Sequence, residues 1–282
     1  MPPNDPATLE AVKSTRSQYQ FSQLIDAYPS RLNVVAEGDS WFAYPPQGIV
    51  FGKPSNVIAH LRNKRRFNLL ELSSNGDEAV AMLSGESKLR LMKIIHRYHV
   101  HFLLFSGGGN DVVGRYDFDF FLKKKINSNE PKAYLNHKRL NRRILQIRNA
   151  YEDLIDYCNE YSDNKDIKIV THCYDYAVPD PKGAEFIGGL VKIDSGRSWM
   201  HPYFKDKGVP ERHRRPIVKY LIDTIAEMLL ALEKQHKGRL LVADTRKTLN
   251  PEKDWLNEIH PTSSGFRKIA KVIYEKMETA FD

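Results

Sequence analysis

The chain has 282 residues, 41% of them hydrophobic and 28% charged, and carries a formal net charge of +8. That balance fits an ordinary globular protein with a sizeable core. The absence of any run of about 18 apolar residues excludes a spanning helix, and two cysteines, Cys158 and Cys173, make neither a disulfide framework nor a zinc spacing.

Residues 1–30 read as an N-terminal extension. The first 24 are polar and interrupted by prolines, with no apolar leader core, so a cytoplasmic protein is expected. Export by a dedicated secretion system would leave no trace here. The first strand is Leu32–Ala36, and it runs into Gly38-Asp39-Ser40 and the aromatic run Trp41-Phe42-Ala43-Tyr44-Pro45-Pro46. Residues Gly48 to Lys53 are similar to a phosphate loop but one residue short, with Pro54 in place of the expected continuation, and that reading is rejected. A second strand, Phe67–Leu72, leads to Asn75-Gly76-Asp77. His96, His99 and His101 straddle a helix end without a carboxylate or cysteine cluster and read as structural rather than metal-binding. The third strand, Val100–Phe105, ends at Gly107-Gly108-Gly109-Asn110-Asp111.

Two stretches are longer than a minimal crossover needs, at about 112–133 and 174–215, the second rich in proline and glycine. Long loops without regular structure are usually lids or binding segments, so both are expected to wall or cap a pocket. Between them lie a helix from Tyr134 to Tyr161 and a fourth strand, Ile167–His172. Ile217, Leu221, Ile225, Met228 and Leu232 mark the apolar face of the next helix. The fifth strand, Leu240–Ala243, is followed by Asp244, Asp254, Asn257 and His260-Pro261, and then by a final helix with Phe266, Ile269, Ala270, Ile273 and Met277 on one face. Short, nearly continuous apolar strands alternating with amphipathic helices predict a three-layer α/β/α sandwich. Its sheet should be parallel and roughly five-stranded, flavodoxin-like, within a single domain over 31–282. Functional residues then belong beyond the carboxyl ends of the strands.

In that order, Gly38-Asp39-Ser40, Asn75-Gly76-Asp77, Gly107–Asp111 and His260-Pro261 resemble the four blocks of the SGNH (GDSL-like) hydrolase superfamily. The resemblance spans Gly38 to about Gly265. It implies a serine esterase, lipase or acylhydrolase working through an acyl-enzyme, with Ser40 as nucleophile and His260 as general base. It also implies an oxyanion hole made by the Ser40 and Gly76 backbone N–H groups and the Asn110 side chain. Asp39, Trp41, Tyr44 and Asp111 are then candidates for the substrate pocket, since some members show a similar aromatic run after the serine. No metal or other cofactor is expected, and the Gly-x-Ser-x-Gly elbow of α/β-hydrolases is absent.

One position departs from the pattern. The family usually has an aspartate three residues before the histidine, where this chain has Asn257. Replacing a triad aspartate by asparagine can cost about 10⁴ in turnover, because the ring is held in the wrong tautomer. Asp254 is therefore the favoured partner for His260, with Asn257 next and Asp244 a more distant candidate.

Residues 115–150 hold ten Lys/Arg against three Asp/Glu, interleaved with Phe118, Phe120, Phe121 and Tyr134. Such a segment suits a solvated helix face, or a surface for an anionic ligand such as a lipid headgroup. An ester of lipid or glycan type is the expected substrate. A decayed hydrolase fold that binds a partner through the basic segment, and a carbohydrate O-deacetylase, are the alternatives.

Overall fold

The five apolar runs are all strands. In the computed structural model, which describes residues 12–44, 55–64, 66–124, 126–160, 166–179, 185–186, 191–192 and 198–280, they are Leu32–Gly38 (β1), Phe67–Glu71 (β2), Phe102–Ser106 (β3), Lys168–His172 (β4) and Leu240–Ala243 (β5). Among the described residues they form one parallel sheet in the order β2-β1-β3-β4-β5. Every residue of β3 is buried, as is all of β1 after Leu32. Burial on both faces explains why these strands read as continuous apolar runs rather than as alternation.

The helices, in chain order, are Gln18–Ala27 (α1), Ser40–Ala43 (α2), Val57–Leu61 (α3), Ala79–Met82 (α4), Gly85–Arg97 (α5), Gly109–Val113 (α6), Arg115–Phe121 (α7), His137–Glu160 (α8), His201–Asp206 (α9), Glu211–Gln235 (α10) and Ser263–Glu278 (α11). α11 packs beside α3, and α10 beside α8. Ile217, Leu221, Ile225, Met228 and Leu232 of α10 are buried, as are Phe266, Ile269, Ala270, Ile273 and Met277 of α11, so the expected apolar faces meet the core. Side-chain caps fix helix starts, as where Asn56 accepts from the Ala59 N–H at 2.7 Å and Thr262 from the Gly265 N–H at 3.1 Å. No helix of the described residues is long and apolar enough to cross a membrane. Cys158 and Cys173 are free and buried, and burial pushes both thiols up to about 12.

The longer segments carry structure of their own. Within the N-terminal extension the Thr15 N–H donates to Leu69 O at 2.9 Å, the Glu71 N–H donates to Thr15 O at 2.8 Å, and α1 packs on β2. The stretch after α6 contains a helix, α7, because Phe118 and Phe121 lie three apart and are both buried, Phe118 meeting Phe204 edge-on at 4.9 Å. Several charges nearby are paired internally. Arg143 bonds Asp117, Lys207 holds Asp119 at 2.7 Å, and the Arg139 guanidinium lies 4.5 Å from the Phe120 ring centre. Of the second long stretch, 198–215 supplies α9 and the start of α10, while 180–184, 187–190 and 193–197 lie outside the described residues. So do 45–54, which include Pro45, Pro46 and the rejected phosphate-loop look-alike. His101, set aside as a metal ligand, accepts the Asn33 backbone N–H on its Nδ1 at 3.0 Å.

Candidate active site

The strand order reverses between β1 and β3, and in open α/β sheets that switch point is where a crevice opens at the carboxyl ends of the strands. Gly38, the last residue of β1, pairs with Ser106, the last of β3. A Cβ at position 38 would lie 2.7 Å from the Ser106 Cβ, so only glycine fits. Beyond it the chain turns directly into α2. Asp39 caps that helix by accepting the Trp41 N–H at 2.9 Å, and Ser40 becomes its first residue.

Asp39 is itself held from three sides. The Ser106 hydroxyl donates to Oδ1 at 2.9 Å and the Tyr174 hydroxyl to Oδ2 at 2.6 Å, in addition to the Trp41 N–H. Burial still pushes its carboxyl up to about 6. Behind Ser106 stands His172, whose Nδ1 accepts the Tyr174 N–H at 3.2 Å. That bond leaves the ring proton on Nε2, which donates to Ser106 Oγ at 2.8 Å. Burial pushes His172 down to about 3, so the relay contains a neutral imidazole. Tyr174 holds its place at a positive φ of 60°, an uncommon backbone conformation for a bulky residue.

His260 Nε2 lies 2.8 Å from Ser40 Oγ, and its Nδ1 lies 3.1 Å from Asn257 Oδ1. The same amide oxygen accepts the Ile259 N–H at 3.2 Å and the His260 N–H at 2.9 Å. Two backbone donors fix which end of the Asn257 amide faces the ring, since a flipped amide would point N–H at N–H. The oxygen must therefore face Nδ1, Nδ1 must carry the proton, and Nε2 is free to accept from the Ser40 hydroxyl. The tautomer that an asparagine can spoil is here enforced by the turn around it. Burial holds the Tyr44 phenol well above the usual tyrosine range.

The imidazole is clamped as well as hydrogen-bonded. Tyr44 stacks on it with ring centres 4.0 Å apart, and Trp199 meets it edge-on at 5.3 Å. The Trp41 indole N–H donates to Ile259 O at 3.1 Å, tying the serine helix to the histidine loop. His260 is 3% exposed, and burial pushes it down to about 3, so the ring is neutral at ordinary pH.

The second and third blocks reach the same place. The Ser74 N–H donates to Gly38 O at 2.9 Å, which pins the loop after β2 to the end of β1. Gly76 in that loop has φ +89°, a conformation glycine adopts without strain. Asn110, in the first turn of α6, donates one amide N–H to Asp77 O at 2.9 Å. An asparagine amide has a second N–H to offer, and Asn110 lines a cavity together with Ser40.

The remaining expectations fall differently. Asp254 does not meet His260. Its carboxylate accepts from Lys268 Nζ at 2.6 Å and from the Asn250 N–H at 2.7 Å, anchoring the loop to α11. Burial acts to raise this carboxyl, but those partners outweigh it and hold it below the usual range. Asp244 is taken by Arg246 at 2.6 Å. Asp111 points away from the cavity, its carboxylate accepting the Ala79 N–H at 2.7 Å at the start of α4. Asp39 and Trp41 line the cavity, whereas Tyr44 serves the histidine ring. Ser106, His172, Tyr174 and Trp199 were not foreseen. Three of them sit at or just past the carboxyl ends of β3 and β4, and that position is the signal that could have found them. Trp199, before α9, has no such signal.

No sequence-family model matches the chain, and no curated protein matches it. Solved structures do. A lipase from a goat rumen metagenome superposes with a TM-score of 0.54 at 13% identity, over 87% of this chain and 97% of its own. A candidate GDSL-like lipase from Parabacteroides merdae gives 0.53 at 11% identity, over 88% and 96%. An extracellular lipase from Streptomyces rimosus gives 0.50 at 14% identity, over 87% and 99%. At such identities the likeness is one of fold: the five-stranded α/β sandwich of this chain is the fold of GDSL-like lipases.

Proposed function

We propose that the protein is a serine hydrolase that cleaves a carboxylic ester through an acyl-enzyme on Ser40. The observation that carries this reading is the pair of contacts on one buried imidazole, Ser40 Oγ at 2.8 Å from Nε2 and Asn257 Oδ1 at 3.1 Å from Nδ1. Ser40 Oγ attacks the ester carbonyl carbon while its proton passes to His260 Nε2. The tetrahedral intermediate collapses, the C–O bond to the alcohol breaks, and His260 returns the proton to the departing oxygen. Water then repeats both steps on the acyl-enzyme and releases the acid.

Asn257, rather than a carboxylate, orients the ring. It supplies the correct tautomer but no counter-charge for the imidazolium, so the enzyme is expected to be slower than a triad with an aspartate. The Ser40 and Gly76 N–H groups and the second N–H of Asn110 receive the oxyanion; one such donor is typically worth ~10²–10³ in rate. The fold shared with lipases supports ester chemistry, as do the contact of His260 with the Ser40 hydroxyl and the cavity that Ser40 shares with Asn110.

A fluorophosphonate probe tests the reading. The protein should be labelled at Ser40 and lose hydrolysis of p-nitrophenyl acetate in step with labelling. Ser40→Ala should neither label nor turn over, while melting like the wild type. Undiminished turnover by a folded Ser40→Ala protein would refute the mechanism.

A further inference from the structure

Beside Ser40 lies a cavity whose walls set what an acyl group attached there could be. Its volume is about 20 Å³, space for little more than one water-sized group. Trp41, Val113, Tyr174, Ala177, Ile222 and Ile259 supply its apolar surface, and each is less than 10% exposed. Asn110 lines it next to Ser40, so the oxyanion side of the site and this cavity adjoin.

The cavity's two carboxylates are both spoken for. Asp39 accepts from the Trp41 N–H, Ser106 and Tyr174. Asp175 accepts from the Tyr176 N–H at 2.7 Å, the Lys247 N–H at 2.8 Å and the Leu249 N–H at 2.7 Å. A ligand group entering here meets hydrocarbon and aromatic surface, with the charges already satisfied.

The walls are also fixed. Trp41 is packed among His172, Tyr174, Trp255 and Phe266, and its indole N–H is bonded to Ile259 O. Tyr174 is held by its 2.6 Å bond to Asp39. Enlarging the space would require moving these groups, and forcing extra methylenes into a packed apolar site typically costs 1–3 kcal/mol.

We infer that this cavity is the acyl pocket of the Ser40 reaction, and that it restricts the acyl group to acetyl, making O-acetyl esters the substrate class. The inference rests on the serine-hydrolase reading above and adds the size of the acyl group to it. It places the selectivity of the enzyme on the acid side of the ester, in Val113 and Ile222 above all, because these aliphatic side chains line the cavity without belonging to the hydrogen-bonded relay.

The test is a chain-length series on the wild-type protein, with kcat/KM for p-nitrophenyl acetate, butyrate and octanoate measured alongside fluorophosphonate labelling. The expected result is a fall of roughly 10–100-fold from acetate to butyrate and a further fall to octanoate. Ile222→Ala should narrow the acetate-to-butyrate ratio by about tenfold, one side chain's share of that penalty. Labelling at Ser40 with butyrate or octanoate turned over as well as acetate would overturn the size limit and leave the serine mechanism standing. Failure to label and to cleave any of the three would overturn both. The wild-type series decides the matter even if Ile222→Ala proves unstable.

Discussion

An asparagine in the place of a triad aspartate invites the reading of a damaged site, yet the environment of Asn257 argues for a different trade. Its amide oxygen gathers three N–H donors, two of them from the backbone at 3.2 and 2.9 Å. Those donors would serve a carboxylate equally well. Asn257→Asp should therefore keep the geometry and add the missing counter-charge, which favours the protonated ring. With His260 at about 3 in the native protein, the acid limb of kcat/KM should lie far below the usual histidine range and move upward in the variant. Turnover near neutral pH should rise by about tenfold for each pKa unit of added imidazolium stabilisation. A pH–rate profile unchanged by Asn257→Asp would show that this side chain does not act on the ring. Ser40 and His260 could be read from the sequence because glycine-flanked and proline-flanked motifs hold them at strand and helix ends. The partner of His260 could not. The sequence offers several acidic or amide residues in one loop, and only the path of the chain decides that Asn257 turns inward while Asp254 turns toward Lys268.

At the scale of elements, the loop from Asn250 to Thr262 is built as a hairpin standing on α11. The Leu256 N–H donates to His260 O at 2.9 Å, the Thr262 N–H donates to Asp254 O at 2.7 Å, and Lys268 reaches back to Asp254 at 2.6 Å. Asp254→Asn removes the charge that Lys268 meets and leaves the ring contacts of His260 in place. The variant should melt earlier, by roughly 2–4 °C for each kcal/mol lost, with kcat within a few-fold of wild type. A large kcat loss without a change in melting would place Asp254 in the proton relay instead. The strands were legible because two buried faces demand unbroken apolar runs, and α10 and α11 because one buried face leaves a 3.6-residue rhythm. α7 was not legible. Its buried Phe118 and Phe121 alternate with Asp117 and Asp119, and the segment is too short for a period to emerge.

Across the whole molecule, burial sets two opposing responses to acid. His172 and His260 both stand at about 3 in the folded chain. The unfolded chain takes up protons at these positions first, so stability is lost as pH falls below the ordinary histidine range, near 6.5. Asp39 at about 6 and Glu78 at about 7 work the other way: the folded chain protonates first, and the penalty for burying their charge is relieved as pH falls from about 7 toward 4. The melting temperature should thus be nearly level from about pH 7 to about pH 4.5. Below about pH 4 it should drop steeply, because the unfolded carboxyls then protonate too and nothing offsets the histidines. Calorimetry across that range checks this, and a steep decline already between pH 7 and 5 would contradict it. The layered architecture followed from the alternation of strand and helix, while the strand order and these buried charges depend on tertiary neighbours that no local pattern announces. One contact described above has a temporal meaning. Ser40 and His260 are 220 positions apart in the chain, and the hydroxyl of an early turn waits for a loop borne on the last described helix. On the proposed mechanism, a chain whose sheet has formed but whose His260 loop has not docked has no activated nucleophile, so on refolding esterase activity should return after the sheet does.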